Sequence, residues 1–177
     1  MRFLKLLDVA LAFGARPAPS PGPSGVSHFQ QVDSRVYRGG QPPDCAFQFL
    51  AGLGVRTVLD LRESGQAAAE EKLVLAAGMR FVSIPLNDLR APTAQQIAAA
   101  LAVLSDDSAA PVFVHCRRGA DRTGTVVACY RIAHYGWGNR QALDEARSQG
   151  MSLLEPGMRR YILHFRCGAG CQPAAGC

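Results

Sequence analysis

The sequence predicts a single α/β domain whose central sheet has four to five mostly parallel strands flanked by helices. The chain has 177 residues, of which 48% are hydrophobic, enough for one domain with its own core. Short apolar runs rich in β-branched residues alternate with longer segments of helical period, which is typical of α/β proteins. Glycines follow several of the helical segments, as expected at helix C-termini.

The first half of the domain is predicted to alternate strands and helices. Residues 34–42 form a short strand that ends in a turn, and Asp44 then caps a helix with an apolar face that ends at Gly54. The β-branched run at residues 55–61 is predicted to be a buried strand. Residues 67–77 are rich in Ala and Glu, which favours a helix, and Gly78 ends it. Residues 79–85 form the next strand, and a loop follows at residues 86–92.

The second half continues the same alternation. Thr93 is predicted to cap a helix that reaches Leu104, because its apolar residues fall on one helical face. Residues 112–115 form a strand that leads into a tight loop, and a helix leaves this loop at residues 122–135 and ends at Gly136. Residues 139–148 and 156–166 are two further predicted helices.

Both ends of the chain are predicted to lie outside the domain. Residues 1–27 are interpreted as an N-terminal extension with a Pro/Gly/Ser-rich linker, residues 28–166 as the domain, and residues 167–177 as an unordered, cysteine-containing tail. Residues 1–14 leave three interpretations open: a weak signal or anchor, an amphipathic helix on a surface, or an extension of little consequence.

The composition favours an anionic partner. The formal net charge is +5 and the sequence pI is about 9.1, but the basic residues are scattered and no nucleic-acid module is recognisable. No apolar run approaches the roughly 18 residues of a membrane span. The six cysteines match no zinc pattern. A catalytic thiolate needs reducing conditions, which favours the cytoplasm, with export or attachment through residues 1–14 as the alternative. A monomer is expected.

One stretch carries the chemistry, and it reads His115-Cys116-Arg117-Arg118-Gly119-Ala120-Asp121-Arg122-Thr123-Gly124. Five residues separate Cys116 from Arg122, and the loop between strand and helix has the right length to wrap a phosphate dianion. Gly119 allows backbone N–H groups to point inward, and the first turn of the helix adds its own. Arg122 can hold two oxygens with its planar fork. This positive field would favour a thiolate at Cys116.

This stretch resembles the active-site loop of the cysteine-dependent protein tyrosine phosphatase superfamily, His-Cys-x5-Arg-Thr/Ser-Gly. Residues 36–42, 57–62 and 122–131 are similar to segments of the atypical dual-specificity phosphatases of plants, fungi and bacteria, and the resemblance covers residues 28–166. A rhodanese-like sulfur-transfer loop has four residues between Cys and Arg, whereas this chain has five.

The resemblance implies hydrolysis of phosphate monoesters through a phosphocysteine intermediate, on phosphotyrosine or dual-specificity protein substrates. Inositol phosphates, pyrophosphates or phosphoinositides are the alternative substrates. A phosphate-recognising binding module without turnover is the further alternative.

The resemblance also suggests a role for each loop residue. Cys116 is the expected nucleophile, and Arg122 is expected to bind the phosphate and stabilise its charge in the transition state. Thr123 is expected to donate a hydrogen bond to the sulfur or to cap the helix, and His115 to order the loop through backbone contacts. The remaining loop residues are expected to bind the substrate phosphate: Arg117, Arg118, Gly119, Ala120 and Asp121.

A general acid is needed because a free alkoxide or aryl oxide is a poor leaving group. Asp88 is the first candidate, since it lies on a loop after a strand, where the family carries its acid. Asp121 is the rival, and it can instead brace the loop by pairing with a neighbouring arginine.

Two further cations inside the loop bear on the substrate. Arg117 and Arg118 would suit a substrate with several phosphates, or they can point to solvent. Arg38, Arg62 and Arg90 are expected to extend the same basic rim. No metal or organic cofactor is expected, because the mechanism requires none and His134 and His164 have no partner at ligand spacing.

Overall fold

The computed structural model describes residues 25–63, 65 and 67–168. Strands and helices alternate along most of this part of the chain. The strands are β1 (Gln30–Gln31), β2 (Val36–Gly39), β3 (Thr57–Asp60), β4 (Arg80–Ser83) and β5 (Val112–His115). The helices are α1 (Ala46–Gly52), α2 (Ala67–Ala76), α3 (Ala94–Ser105), α4 (Asp121–Tyr135), α5 (Asn139–Ser148) and α6 (Pro156–His164).

The five strands form one sheet in the order β1-β2-β5-β3-β4. β2, β5, β3 and β4 are parallel, and only the two-residue β1 runs antiparallel, against β2. The predicted α/β architecture with a mostly parallel sheet is therefore confirmed. β1 is too short to give a periodic pattern, so the sequence analysis did not place it.

The register brings the carboxyl ends of the central strands to one edge. Gly39 of β2 and Asp60 of β3 both stand opposite His115 of β5, and Asp60 stands opposite Ser83 of β4. In open parallel sheets, ligand sites form at this edge. The loops that follow β2, β3, β4 and β5 are thus brought together where β5 delivers Cys116.

Both faces of the sheet are covered by helices. Alternate strand residues point to opposite faces, so Val112 and Val114 pack in a cluster with residues of α3 and α4. Phe113 and Val58 instead pack against α1 and α2. His115 shares the face of Phe113, and their rings stack with centroids 5.5 Å apart. The His115 side chain, directly before Cys116 in the chain, therefore points toward α2.

The helix ends follow most of the predicted signals. Thr93 forms a capping box with Gln96 at the start of α3, and Gly136 ends α4 in the left-handed conformation with φ +67°. Asp44 was predicted to cap α1, but this was wrong. The N-cap residue is Cys45 without a side-chain cap bond, because the turn after Pro42 lets the Pro43 carbonyl accept the Ala46 N–H at 2.8 Å.

The predicted extension and tail fall largely outside the described residues. Residues 1–24 and 169–177 are not described, so the three interpretations of residues 1–14 stay open. Val26 precedes the predicted start of the domain, yet it is only 7% exposed and packs in the core around α1 and α2. No helix within the described residues has the length and apolar character needed to cross a bilayer.

Candidate active site

The loop between β5 and α4 wraps around the Cys116 thiol. Cys116 is only 1% exposed, and the Gly119 N–H donates a hydrogen bond to its Sγ at 3.3 Å. Gly119 has φ +76°, a conformation that L-residues with a side chain rarely adopt. The loop therefore curls back so that a backbone donor points at the sulfur, which stabilises negative charge there.

The end of β2 fixes the shape of this loop. A Cβ on Gly119 would lie 2.4 Å from both the Gly39 carbonyl carbon and the Gly40 nitrogen. The Gln41 N–H also donates to the Arg117 carbonyl at 3.2 Å. A Cβ on Gly40 would in turn lie 3.1 Å from the Arg118 carbonyl oxygen, so Gly40 and Gly119 both allow the close approach. The Gly39-Gly40 pair at the end of β2 was interpreted as a turn, and its packing role was missed.

Arg38 supports the loop from inside the protein. Its side chain is 1% exposed, and Nη2 donates to the Gly119 carbonyl at 2.8 Å. Burial lowers the pKa of Arg38 to about 10, so the guanidinium still carries its charge at neutral pH. Its expected place in an exposed basic rim was wrong, because the alternation along β2 directs it under the loop. Arg62, at 3% exposed, is likewise buried, and only Arg90 of this group is exposed.

A buried ionic network lies on the α2 side of the loop. Arg62 binds the Asp60 carboxylate through Nε and Nη2, at 2.9 and 2.8 Å, and lies 2.7 Å from Glu70 Oε2. The other Glu70 oxygen lies 2.7 Å from His115 Nε2, although the pair lacks the alignment of a hydrogen bond. His115 was expected to order the loop through backbone contacts; its carbonyl accepts the Leu61 N–H at 2.9 Å, and its side chain lies against this carboxylate.

Burial raises the pKa of Asp60, but hydrogen bonds from Arg62 and the charge of His115 outweigh this effect and leave the pKa below its usual value. Donor atoms of Asp60, Glu70 and His115 lie within 4.8 Å of one another, close enough for a metal ion. Arg62 already bridges the two carboxylates, so its guanidinium supplies the positive charge that such an ion would provide.

Two polar groups at the start of α4 are left for a ligand. The Arg122 side chain is 8% exposed and makes no hydrogen bond or ion pair with the residues that the structure describes. The Thr123 hydroxyl is buried and has no hydrogen-bond partner within the same part of the chain. Both groups sit in the first turn of a helix, where N–H groups and the helix dipole favour an anion.

Asp121 has the geometry of a brace. Its Oδ1 accepts the Ser152 N–H at 2.7 Å, and its Oδ2 lies 3.5 Å from Arg118 Nη1. Asp121 therefore ties the loop to the segment before α6. Asp88 is exposed on the loop after β4, which leaves its carboxylate open to a ligand.

Glu155 is a site residue that the sequence analysis missed. Burial, followed by the charges of Asp121 and Asp88, raises its pKa, whereas Arg118 and Arg122 oppose the shift. The hydrogen bond from the Ser152 N–H to Asp121 places the segment before α6 beside the Cys116 loop, and Glu155 on that segment also interacts electrostatically with Asp88. Only the Pro156 that follows Glu155 marked this position, as a helix start.

An apolar groove of about 1400 Å³ lies beside α3 and α6, away from the thiol. Its lining includes Ala91, Leu101, Gly157 and Tyr161, and neither Cys116 nor Arg122 belongs to it. The site is therefore defined by the loop and its charges rather than by this groove.

A buried cysteine and an arginine held by one loop at the carboxyl edge of a parallel sheet define the class of cysteine-dependent phosphatases. A family model described as "DSP-PTPase phosphatase fused to NAD+ Kinase" matches residues 22–156. The chain belongs to this dual-specificity-phosphatase family.

Two curated relatives are similar to the chain in sequence, and one solved structure has the same fold. The chain is 32% identical to the putative tyrosine-protein phosphatase OCA1 of Yarrowia lipolytica, over 72% of this chain and 54% of that protein. It is 34% identical to the inositol diphosphatase DSP1 of Oryza sativa subsp. japonica, over 59% and 49%. The chain thus spans about half the length of these curated relatives. The catalytic core of the PP-IP phosphatase SIW14 of S. cerevisiae superposes with a TM-score of 0.70 at 20% identity, covering 79% of this chain and 86% of that one.

Proposed function

We propose that the chain hydrolyses phosphate monoesters through a phosphocysteine intermediate on Cys116. One observation carries this proposal. The buried Cys116 thiol accepts a hydrogen bond from the Gly119 N–H, and Arg122, at the end of the same loop, has no protein partner among the described residues. A phosphate dianion would satisfy Arg122, the inward N–H groups and the end of α4 together.

The first step would transfer the phosphoryl group to sulfur. The Cys116 thiolate attacks phosphorus, the ester P–O bond breaks, and Asp88 gives its proton to the leaving oxygen. Arg122 stabilises the charge that spreads over the equatorial oxygens. Arg38 and the contact between Gly119 and β2 hold the loop in position, so little rearrangement is needed at the moment of reaction.

The second step would return the enzyme to its starting state. Water attacks phosphorus as Asp88 accepts a proton from it, the P–S bond breaks, and the thiolate leaves. The Thr123 hydroxyl, buried and without a partner in the described part of the chain, is available to donate to the departing sulfur. Asp121 is held by Ser152 and Arg118 and is assigned the bracing role.

The proposed substrates are phosphotyrosine and dual-specificity phosphoproteins. The description of the family model and the tyrosine-phosphatase relative support this class. Inositol phosphates are the second candidate, and the observation that favours them is the exposure of Arg117 and Arg118 next to the phosphate loop. The inositol diphosphatase relative points the same way.

Phosphate release under reducing conditions tests this function, with a phosphotyrosine peptide and an inositol pyrophosphate assayed side by side. Cys116→Ser should abolish turnover, whereas Cys45→Ser, which changes an exposed free cysteine, should keep the wild-type rate. The better substrate decides between the two classes. Phosphate binding without turnover of either substrate would replace the proposal with a binding module.

We also propose that the protein is a monomer in the cytoplasm and that residues 28–166 form its domain. Cys45, Cys116 and Cys129 are free thiols, as a reducing compartment requires, whereas Cys167 is disulfide-bonded, which favours the exported alternative. Size-exclusion chromatography with light scattering tests the oligomeric state.

A further inference from the structure

The carbonyl groups on both sides of Arg118 are held from outside the loop between β5 and α4. The Arg117 carbonyl accepts the Gln41 N–H at 3.2 Å, and the Gly119 carbonyl accepts a hydrogen bond from Arg38 Nη2 at 2.8 Å. Both donors belong to β2 or to the turn that follows it. The Arg118 carbonyl lies between these two fixed groups, so its own partner completes a frame around the loop.

His28 supplies the partner of the Arg118 carbonyl. Its Nδ1 lies 2.9 Å from the Arg118 oxygen, and since a carbonyl oxygen can only accept, Nδ1 must carry the proton. Ser27 Oγ donates to the same oxygen at a longer 3.3 Å. The sequence analysis placed His28 at the start of the domain and gave it no role in the site.

The peptide between Arg118 and Gly119 links this contact to the thiol. The peptide is trans, and in a planar trans peptide the C=O and the following N–H point in opposite directions. The Arg118 carbonyl is turned outward to His28, so the Gly119 N–H is turned inward, where it donates to Cys116 Sγ at 3.3 Å. The hydrogen bond from His28 therefore fixes the direction of a donor that faces the sulfur.

The backbone of His28 is held in an unusual conformation. Its φ is +51°, a value that residues with a side chain rarely adopt and that persists only where surrounding contacts impose it. Val26 is buried in the core around α1 and α2, and Phe29 stacks on Tyr37 with ring centroids 5.9 Å apart. Because His28 itself is exposed, these two anchored neighbours, rather than burial of the imidazole, hold it against the loop.

The imidazole also fits closely on its other side. A Cβ on Gly150 would lie 2.7 Å from His28 Nε2 and 3.7 Å from the Ala120 Cβ. The ring therefore lies between the Cys116 loop and the turn that follows α5. A glycine at this turn leaves the space that the imidazole needs to reach the loop.

We propose that His28 is a positioning residue of the phosphate site. Its Nδ1–H holds the Arg118 carbonyl outward and thereby keeps the Gly119 N–H directed at the Cys116 thiolate and at a bound phosphate. The inference rests on the proposed phosphatase function and adds to its site a residue from outside the Cys-x5-Arg stretch. His28 acts through the loop rather than on the reacting atoms.

Equilibrium binding of orthovanadate to the full chain tests this role, because vanadate occupies the phosphate site without requiring turnover. His28→Gly removes the donor and suits the positive φ, so vanadate should bind about five-fold more weakly, as expected for the loss of one hydrogen bond. His28→Asn keeps an N–H donor and tolerates the same φ, so it should restore most of the affinity. The thermal unfolding midpoints of both variants should stay within a few degrees of the wild type.

His164→Ala is the matched control. His164 is also exposed, and its Nδ1 also contacts a backbone carbonyl, that of Arg160 at 2.8 Å within α6. This substitution removes the same kind of hydrogen bond away from the loop, so it should leave the vanadate affinity unchanged.

Activity assays separate this inference from the proposed function. In His28→Gly, kcat/KM on p-nitrophenyl phosphate should fall by about the same factor as the vanadate affinity, and His28→Asn should recover it. A wild type that binds vanadate but cleaves no ester would overturn the phosphatase function, and the vanadate comparison would still decide the role of His28. Wild-type vanadate affinity in His28→Gly, or an equal loss of affinity in His28→Gly and His28→Asn, would overturn the positioning role.

Discussion

His115 Nε2 of β5 and Glu70 Oε1 of α2 lie 2.7 Å apart, directly behind Cys116, the residue that follows His115 in the chain. The contact joins the Cys116 loop to the buried ions Asp60 and Arg62, so that two carboxylates and a guanidinium surround one imidazole. Each of these charged side chains is buried. Removing any one of them would leave another buried charge without an opposite charge beside it.

Glu70→Gln is expected to destabilise the protein by about 3–5 kcal/mol, because it removes one partner from a buried ionic network. Urea unfolding measures the change. Glu71→Gln, one residue further on the same helix and exposed, should change the unfolding free energy by less than about 0.5 kcal/mol. Equal effects of the two substitutions would mean that the network contributes nothing to stability.

Gly119→Ala is expected to destabilise the protein by about 2 kcal/mol or more and to abolish tight phosphate binding. An alanine there would have to adopt a left-handed φ, which is unfavourable for residues with a side chain. Its Cβ would also overlap the backbone of Gly39 and Gly40. Thermal unfolding and orthovanadate titration measure the two effects. In the control Gly52→Ala, the added Cβ would meet no atom within 4 Å, so the change should be neutral or stabilising by about 0.5–1 kcal/mol. An unchanged vanadate affinity in Gly119→Ala would contradict the close contact between the Cys116 loop and β2.

Asp60 should make the protein sensitive to acid. Its folded-state pKa lies below the usual value of about 3.9, so its stabilising contribution is present above that pH and is lost as pH falls through the folded-state pKa. Asp60→Asn should therefore be less stable than wild type at neutral pH, with a gap that narrows below about pH 4. Denaturant titrations at a series of pH values measure the gap. The exposed Asp44→Asn is the control, and a gap independent of pH would refute the ion-pair explanation.

The dependence of the rate on the leaving group of the ester should show whether Asp88 or Asp121 is the general acid. Asp88→Asn should lower kcat about 10²–10⁴-fold on a phosphotyrosine peptide, and less on p-nitrophenyl phosphate, whose leaving group needs little protonation. Asp121→Asn should lower both rates by the same factor and reduce stability slightly, since the amide oxygen can still accept the Ser152 N–H but the ion pair with Arg118 is lost. A leaving-group dependence in Asp121→Asn alone would exchange the two assignments.

The sequence was sufficient for the features that depend on local pattern. The Cys-x5-Arg spacing located the loop around Cys116 and Arg122, and the alternation of strands and helices predicted the parallel sheet that carries it. Thr93 begins α3 and Gly136 ends α4 as predicted, because each of these caps is formed with residues of its own helix.

Features that depend on packing between distant segments were out of reach. Arg38 and Arg62 were interpreted as surface cations, because their isolated sequence positions do not show that β2 and β3 direct them into the protein. Glu70 resembled an ordinary solvated helix residue until α2 was seen to lie against β5. Glu155 had no motif at all, and only the path of the chain before α6 brings it to the site.

The contact of Gly119 with Gly39 and Gly40 has a consequence for folding. The loop takes its curled form only when β2 has already paired with β5, a contact between segments far apart in the chain, which costs loop-closure entropy. Cys116 would therefore acquire its surroundings late, after the sheet assembles. A fragment that begins after β2 would still contain the intact His-Cys-x5-Arg stretch, yet it would have neither Arg38 nor the backbone surface against which that stretch is shaped.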